Sequence, residues 1–155
     1  MILQITIDTR EQTPWHFPEE LANVTVGTLR TGDYALRGDG GFAIERKSLD
    51  DFVGTIASGW KRFERELDRM EGWPAKVIIV EADFEHVCWR NGNNGELVPP
   101  GHNHFKIEPQ FVLKRIAELT MRGVSVLFAG DVSGAVALAC AIFRQRQLEI
   151  GVSYE

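Results

Sequence analysis

The stretch AKVIIVEA, Ala75 to Ala82, constrains the fold most tightly. A strand with one face in water alternates apolar and polar side chains. This one is apolar throughout Val77 to Val80, so both of its faces need cover. Cover on two faces calls for helices above and below a sheet. Helical spacing runs from about Pro109 to Met121 and again from about Val132 to Gln147, with the strand-like GVSVLFA between them. That alternation predicts an α/β sandwich on a partly parallel sheet. At 155 residues, 44% hydrophobic and 25% charged, the chain fits one soluble domain with a sizeable core.

The first half supplies more strands. ILQITID, Ile2 to Asp8, alternates, is rich in β-branched residues and ends on a carboxylate. TREQTPWHFPEE follows as a loop broken by Pro14 and Pro18, and NVTVGTL predicts a short strand. GDYAL, Gly32 to Leu36, predicts another strand, RGDGG a turn, and FAIERK the hairpin partner. Ser48 is a fitting N-cap, with Asp50 and Asp51 in the first helical turn, where acids are favoured. The helical pattern runs from Leu49 to about Ala57, breaks at Ser58 and Gly59, and resumes from Lys61 to Glu71. Residues at about 88–107 are rich in Asn, Gly and Pro and predict an exposed, flexible loop.

The hairpin carries a puzzle. GFAIERKSLDDF, Gly41 to Phe52, puts Glu45, Arg46 and Lys47 together where a strand ends, with Asp50 and Asp51 close behind. Ionised groups are costly to bury unless they are paired or bind a metal. Alone, such a triplet reads as a solvated strand end. In a strand, Glu45 and Lys47 share one face and Arg46 takes the other. The hairpin brings Asp33 back beside Glu45, and Asp8 ends the first strand. The expected result is two or three carboxylates and a lysine at one sheet edge. Carboxylate oxygens are hard ligands suited to Mg²⁺ or Mn²⁺, and such a site can activate water against a phosphate.

IDTRE (Ile7 to Glu11), GDY (Gly32 to Tyr34) and IERKSLDDF (Ile44 to Phe52) together form an ordered signature. It is Gly-Asp, then Glu-Arg-Lys, three residues, and Asp51. This set resembles the XPF-type nuclease domain, a branch of the PD-(D/E)XK nucleases, and the resemblance runs through nearly the whole chain. It implies a restriction-endonuclease-like fold, a three-layer sandwich whose central mixed sheet is flanked by helices. It implies Mg²⁺-dependent cleavage of DNA, with Mn²⁺ able to substitute. Asp33 and Glu45 would be metal ligands, with the Arg46 carbonyl as a third and Asp8 helping to hold the metal or its waters. Lys47 would position or deprotonate the water. Arg46 would support the site by pairing with Asp51 or Glu11. Arg10 and Glu11 match the first motif and stand behind the ligands.

Many members of that family have an arginine directly after the glycine that ends the first helix. Here Trp60, Lys61 and Arg62 stand there, and they become the candidate DNA contacts. The helix-hairpin-helix module of larger members has no counterpart before Glu155, so their branched-DNA preference does not carry over automatically. The compact size suggests a bacterial or phage protein acting in the cytoplasm, or in the nucleus if eukaryotic. A homodimer through the helices at 109–121 and 132–147, or a partner protein supplying DNA-structure specificity, is a further expectation. The competing reading is a catalytically silent DNA-binding or accessory module, against which the intact Asp33, Glu45 and Lys47 set argues.

The remaining features are plainer. A net charge of −5 argues against nonspecific coating of nucleic acid. Cys88 and Cys140 imply no disulfide framework. The N-terminus shows no signal peptide, and the apolar run at 132–143 is too short for a membrane span. His86, Cys88, His102 and His104 are spaced one apart within each pair, against the two to four usual for zinc, so an exposed loop is the better reading. Trp15, Phe17, Trp60, Trp73 and Trp89 suit packing, with base stacking by Trp15 or Trp60 as the alternative. Lys61, Arg62, Arg65 and Arg69 mix with Glu64, Glu66 and Asp68 as on a solvated helix face, which leaves Arg65 and Arg69 as surface.

Overall fold

The structure, a computed structural model, describes residues 1–87, 90–91, 94, 97–98 and 107–152. Six strands form one mixed sheet. They are β1 (Leu3–Asp8), β2 (Ala22–Gly27), β3 (Tyr34–Leu36), β4 (Ile44–Lys47), β5 (Lys76–Val80) and β8 (Val124–Phe128), in the spatial order β2-β1-β3-β4-β5-β8. The pairs β1–β2, β4–β5 and β5–β8 are parallel, while β1–β3 and β3–β4 are antiparallel. A separate small ladder joins β6 (Arg90–Asn91) to β7 (Leu97–Val98). The helices are α1 (Leu49–Ile56), α2 (Trp60–Arg69), the short α3 (Phe84–Val87), α4 (Pro109–Met121) and α5 (Val132–Val152).

β5 is covered on both faces, as its apolar run requires. Val77 and Ile79 join one cluster, with Leu3, Ile5, Tyr34 and Ile44 under Ala135, Ala139 and Phe143 of α5. Ile78 and Val80 join the other, with Phe52 and Ile56 of α1, Phe63 of α2 and Leu119 of α4. The result is the restriction-endonuclease-like three-layer sandwich. Each fully buried Ile or Phe here contributes about 1.5–3 kcal/mol relative to exposure.

Register then fixes the site. Ile7 lies opposite Tyr34, and Tyr34 opposite Ile44, all three turned into the α5 cluster. One residue further along each strand, side chains point to the other face. That step reaches Asp8, Asp33 and Glu45, side by side toward the α2 layer. The Asp8 N–H donates to the Asp33 carbonyl at 2.9 Å, which locks the level of the two strands.

Several boundaries move. The third strand begins at Tyr34 rather than Gly32, α2 begins at Trp60 rather than Lys61, and α5 runs on to Val152 rather than ending near Gln147. Ser48 caps α1 as its sequence predicts, its Oγ accepting the Asp51 N–H at 3.1 Å. The predicted loop at 88–107 lies largely outside the described residues, and those described within it include the β6–β7 ladder. Cys88, Trp89, His102 and His104 also lie outside them. Among the described residues, no helix is long and apolar enough to cross a membrane.

Candidate active site

The α2-facing side of β4 carries an acidic pair. Asp33 sits just before β3, and its Oδ2 accepts the backbone N–H of Arg46 at 2.7 Å. Burial, reinforced by the neighbouring Glu45 charge, pushes the Asp33 carboxyl up to about 7. Burial likewise raises Glu45, against the pull of Lys47, whose Nζ lies 3.1 Å from Glu45 Oε1. Lys47 also sits over the Phe63 ring of α2. Both side chains are mostly covered, Lys47 at 16% and Glu45 at 21% exposure. A cavity of about 240 Å³ opens onto this face, and Asp33, Glu45 and Glu66 line it beside Arg30, Thr31 and Arg69.

The opposite side of β4 carries Arg46, as alternation requires. Its guanidinium pairs with Glu81 through Nε, reaches Glu11 Oε2 at 3.4 Å, and donates to the Thr13 carbonyl. Trp15 stacks on Tyr34 with ring centroids 4.4 Å apart and donates its indole N–H to Glu81 at 2.8 Å. The Tyr34 hydroxyl donates to Glu11 at 3.0 Å and accepts the Trp15 N–H at 2.8 Å. This network fixes the β4 backbone, whose Arg46 N–H holds Asp33. Arg46 is ion-paired with Glu81 and Glu11, and among the described residues it makes no pair with Asp51. Asp51 stands exposed in the first turn of α1.

Asp8 lines the same cavity but is already engaged. Its Oδ2 accepts from Arg10 Nε at 2.7 Å and from the Arg10 N–H, and its Oδ1 accepts the Leu29 N–H at 2.8 Å. Against the cost of burial, these bonds hold its carboxyl below the usual range. Arg10 also donates to the Leu29 carbonyl, so Arg10 touches Asp8 as Glu11 touches Arg46. Among the described residues, no three His, Cys, Asp or Glu side chains are grouped to hold a metal ion. Asp33 and Glu45 stand as a pair in that cavity, with Asp8 as their neighbour.

Trp60 corrects a second expectation. It is 7% exposed, in the cluster with Phe63 and Val112, and its ring lies under Arg115 at 4.3 Å. A side chain so buried is no platform for a base. Trp15, at 3% exposure, is excluded from stacking for the same reason. Lys61 and Arg62 are exposed at the start of α2. The residues missed by sequence reasoning are Glu81, Glu66, Arg30 and Arg69. Glu81 closes a run of apolar strand residues, and that break was its only signal.

The acidic pair fits a divalent cation on chemical grounds. Two covered carboxylates stand together with one lysine for compensation, and both resist ionisation. Hard oxygen donors in that electrostatic state gain most from a small doubly charged cation. Fold and site together define an α/β sandwich with an acidic-lysine centre at the end of the β3–β4 hairpin.

The ERCC4 domain family matches residues 7–142, and the chain belongs to that family. Among solved structures, XPF from Aeropyrum pernix is similar with a TM-score of 0.66 and 21% identity, covering 92% of this chain and 61% of that one. XPF from Aeropyrum pernix in complex with DNA is similar with a TM-score of 0.62 and 22% identity, covering 95% of this chain and 66% of that one. A Methanocaldococcus jannaschii protein named as an ATP-dependent RNA helicase is 31% identical over 81 residues, 52% of this chain and 10% of that protein. The chain thus spans about a tenth of that relative and less than two thirds of either XPF chain.

Proposed function

We propose that this chain is a divalent-cation-dependent endonuclease that hydrolyses phosphodiester bonds in DNA. The observation that carries the reading is the mostly covered Asp33–Glu45 pair, with Lys47 beside it, opening onto a cavity. Asp33 and Glu45 hold the cation, with the Arg46 carbonyl as a third donor and Asp8 steadying the pair from the next strand. Bound Mg²⁺ or Mn²⁺ supplies charge neutralisation at the phosphate and a lower pKa for water. Lys47 then orients the attacking water or helps to take its proton. Arg46 positions rather than reacts, because its side chain lies on the far face of β4. Lys61 and Arg62, exposed at the start of α2, contact the DNA backbone.

The DNA-bound state of the similar XPF structure supports DNA as the partner. Branched, flap or junction DNA is the favoured substrate class, with a partner protein as the source of that preference and a homodimer as the assembly. The inner sides of α4 and α5 are covered by their own sheet, which leaves Leu113, Met121 and Leu148 outside as the apolar material of a homodimer. Light scattering across a concentration series tests that, and a strict monomer would remove the dimer.

The activity is tested with labelled duplex, flap and splayed-arm DNA in Mg²⁺, Mn²⁺ or EDTA, using wild type, Asp33→Ala and Lys47→Ala. Cutting that needs the metal and both side chains is the expected result. Folded protein that binds DNA and cuts none of these would favour the accessory-module reading instead.

A further inference from the structure

The cavity beside Asp33 and Glu45 has a second half that the proposed chemistry does not use. Arg30 and Thr31, just ahead of Asp33, line it together with Arg69 from the last turn of α2. Arg30 and Arg69 are exposed. Thr31 is different: it is only 7% exposed, and its hydroxyl has no hydrogen-bond partner among the described residues. A buried hydroxyl without a partner is unfavourable and calls for an explanation.

The local backbone holds that arrangement in place. Gly32 adopts φ +79°, and a Cβ there would stand 2.7 Å from Ala43 Cβ. Only glycine lets the chain turn so tightly between Thr31 and Asp33. Thr31 is therefore fixed one residue from Asp33. Arg30 and Arg69 come from segments far apart in sequence and converge on the same cavity. Two guanidinium groups and a hydroxyl donor make a set suited to phosphate oxygens. The carboxylates of the same cavity would repel such an anion, so it suits a phosphate adjoining the cation centre.

We infer that Arg30, Thr31 and Arg69 form a recognition rim for a backbone phosphate of the DNA strand lying across the Asp33–Glu45 centre. The rim rests on the nuclease reading for its location and on its own residues for the contact. The Thr31 hydroxyl, closed off from solvent in this structure, turns about χ1 toward the cavity to donate to a non-bridging oxygen, and the two arginines supply charge. The phosphate path thus crosses the C-terminal end of α2 as well as its start.

The test separates binding from cutting. Fluorescence anisotropy with a labelled duplex and a splayed-arm DNA, in Ca²⁺ in place of Mg²⁺, is followed across a salt series. The proteins are wild type, Arg30→Ala, Arg69→Ala, Thr31→Val and, as a control, Lys114→Ala on α4. Each arginine variant is expected to lose about tenfold in affinity. The slope of log K against log salt should become shallower by about 0.7–0.9 per arginine. Thr31→Val should weaken binding several-fold without lowering the melting temperature, whereas a hydroxyl serving only the fold would lower that temperature and leave affinity intact. Lys114→Ala should match wild type. If wild type cuts DNA while all three rim variants keep its affinity and slope, the rim is overturned and the nuclease reading stands. If wild type binds in Ca²⁺ but does not cut in Mg²⁺ or Mn²⁺, and the rim variants lose affinity, the rim stands and the nuclease reading falls. A wild type that binds neither DNA at low salt overturns the rim.

Discussion

The two faces of β4 differ in how their charges are met. On one face Arg46 has two carboxylates, a carbonyl and the Trp15 ring around it, and its guanidinium is held above its usual pKa although burial opposes that. On the other face Asp33 and Glu45 share one lysine, and both are pushed upward. The same contrast separates neighbouring strands. Asp8 has three hydrogen bonds to its carboxylate and is held low. Asp33, one strand away, has a single hydrogen bond to its carboxylate among the described residues and rises to about 7. One region is satisfied by the protein itself, whereas the other needs something from outside. Stability and activity should therefore respond oppositely to mutations in the two.

The largest effect is expected on the unsatisfied face. Asp33→Ala or Glu45→Ala would remove a proposed cation ligand, and a loss of about 4 kcal/mol of transition-state stabilisation corresponds to about 10³-fold in single-turnover cleavage rate. Lys47→Ala should cost about 10²–10⁴-fold in the same assay. Retention of more than a tenth of the wild-type rate by Asp33→Ala would break the contrast.

On the satisfied face the expected loss is of stability. Arg46→Met strands Glu81 and Glu11 without their cation, which should cost about 3 kcal/mol and lower Tm by roughly 6–12 °C. Calorimetry beside Glu81→Gln sharpens this, because the double variant should lose less than the sum of the two singles.

A smaller difference appears with pH in metal-free protein. The Asp33 carboxyl binds its proton more tightly when folded, so its contribution is full below the unfolded value of 3.8 and is lost as pH rises through about 7. Asp8 runs the other way. Its folded value is depressed, so its contribution is present above 3.8 and lost as pH falls through the lower folded value. Asp33→Asn should raise Tm above neutral pH, while Asp8→Asn should lower it by the equivalent of about 1–2 kcal/mol. Thermal melts across the pH range read both, and shifts of the same sign would show that the two carboxylates are alike.

The smallest effects belong to the exposed cations at the start of α2. Lys61→Ala and Arg62→Ala should change stability by less than about 0.5 kcal/mol, with their loss visible only in DNA affinity at low salt.

Much of this was legible in the sequence, for definite reasons. The unbroken apolar run of β5 required two covering layers, and strand alternation separated Glu45 and Lys47 from Arg46. The hairpin made Asp33 a neighbour of Glu45. Partnerships set by tertiary packing were not legible. Nothing in the alternation of Asp8 reveals that Arg10 folds back onto it. Glu81 meets Arg46 across the β4–β5 pairing, so its role depends on a register that the strand does not state. Trp60 misled because its neighbours Lys61 and Arg62 are exposed, whereas the helix turns its indole inward onto Phe63. Glu66 and Arg69 looked like members of a mixed surface helix because the cavity they line is built largely by distant segments.

The most direct measurement is a calorimetric titration of Mn²⁺ into wild type and Asp33→Asn, repeated in two buffers of different ionisation enthalpy. A cation held by Asp33 and Glu45 displaces the proton that Asp33 retains near neutrality. Wild type should therefore bind one ion per chain with proton release, and Asp33→Asn should lose both the affinity and the release. Equal binding by the two proteins would contradict a cation centre on this face of β4, whereas wild-type binding with no proton released would contradict only the raised Asp33 carboxyl.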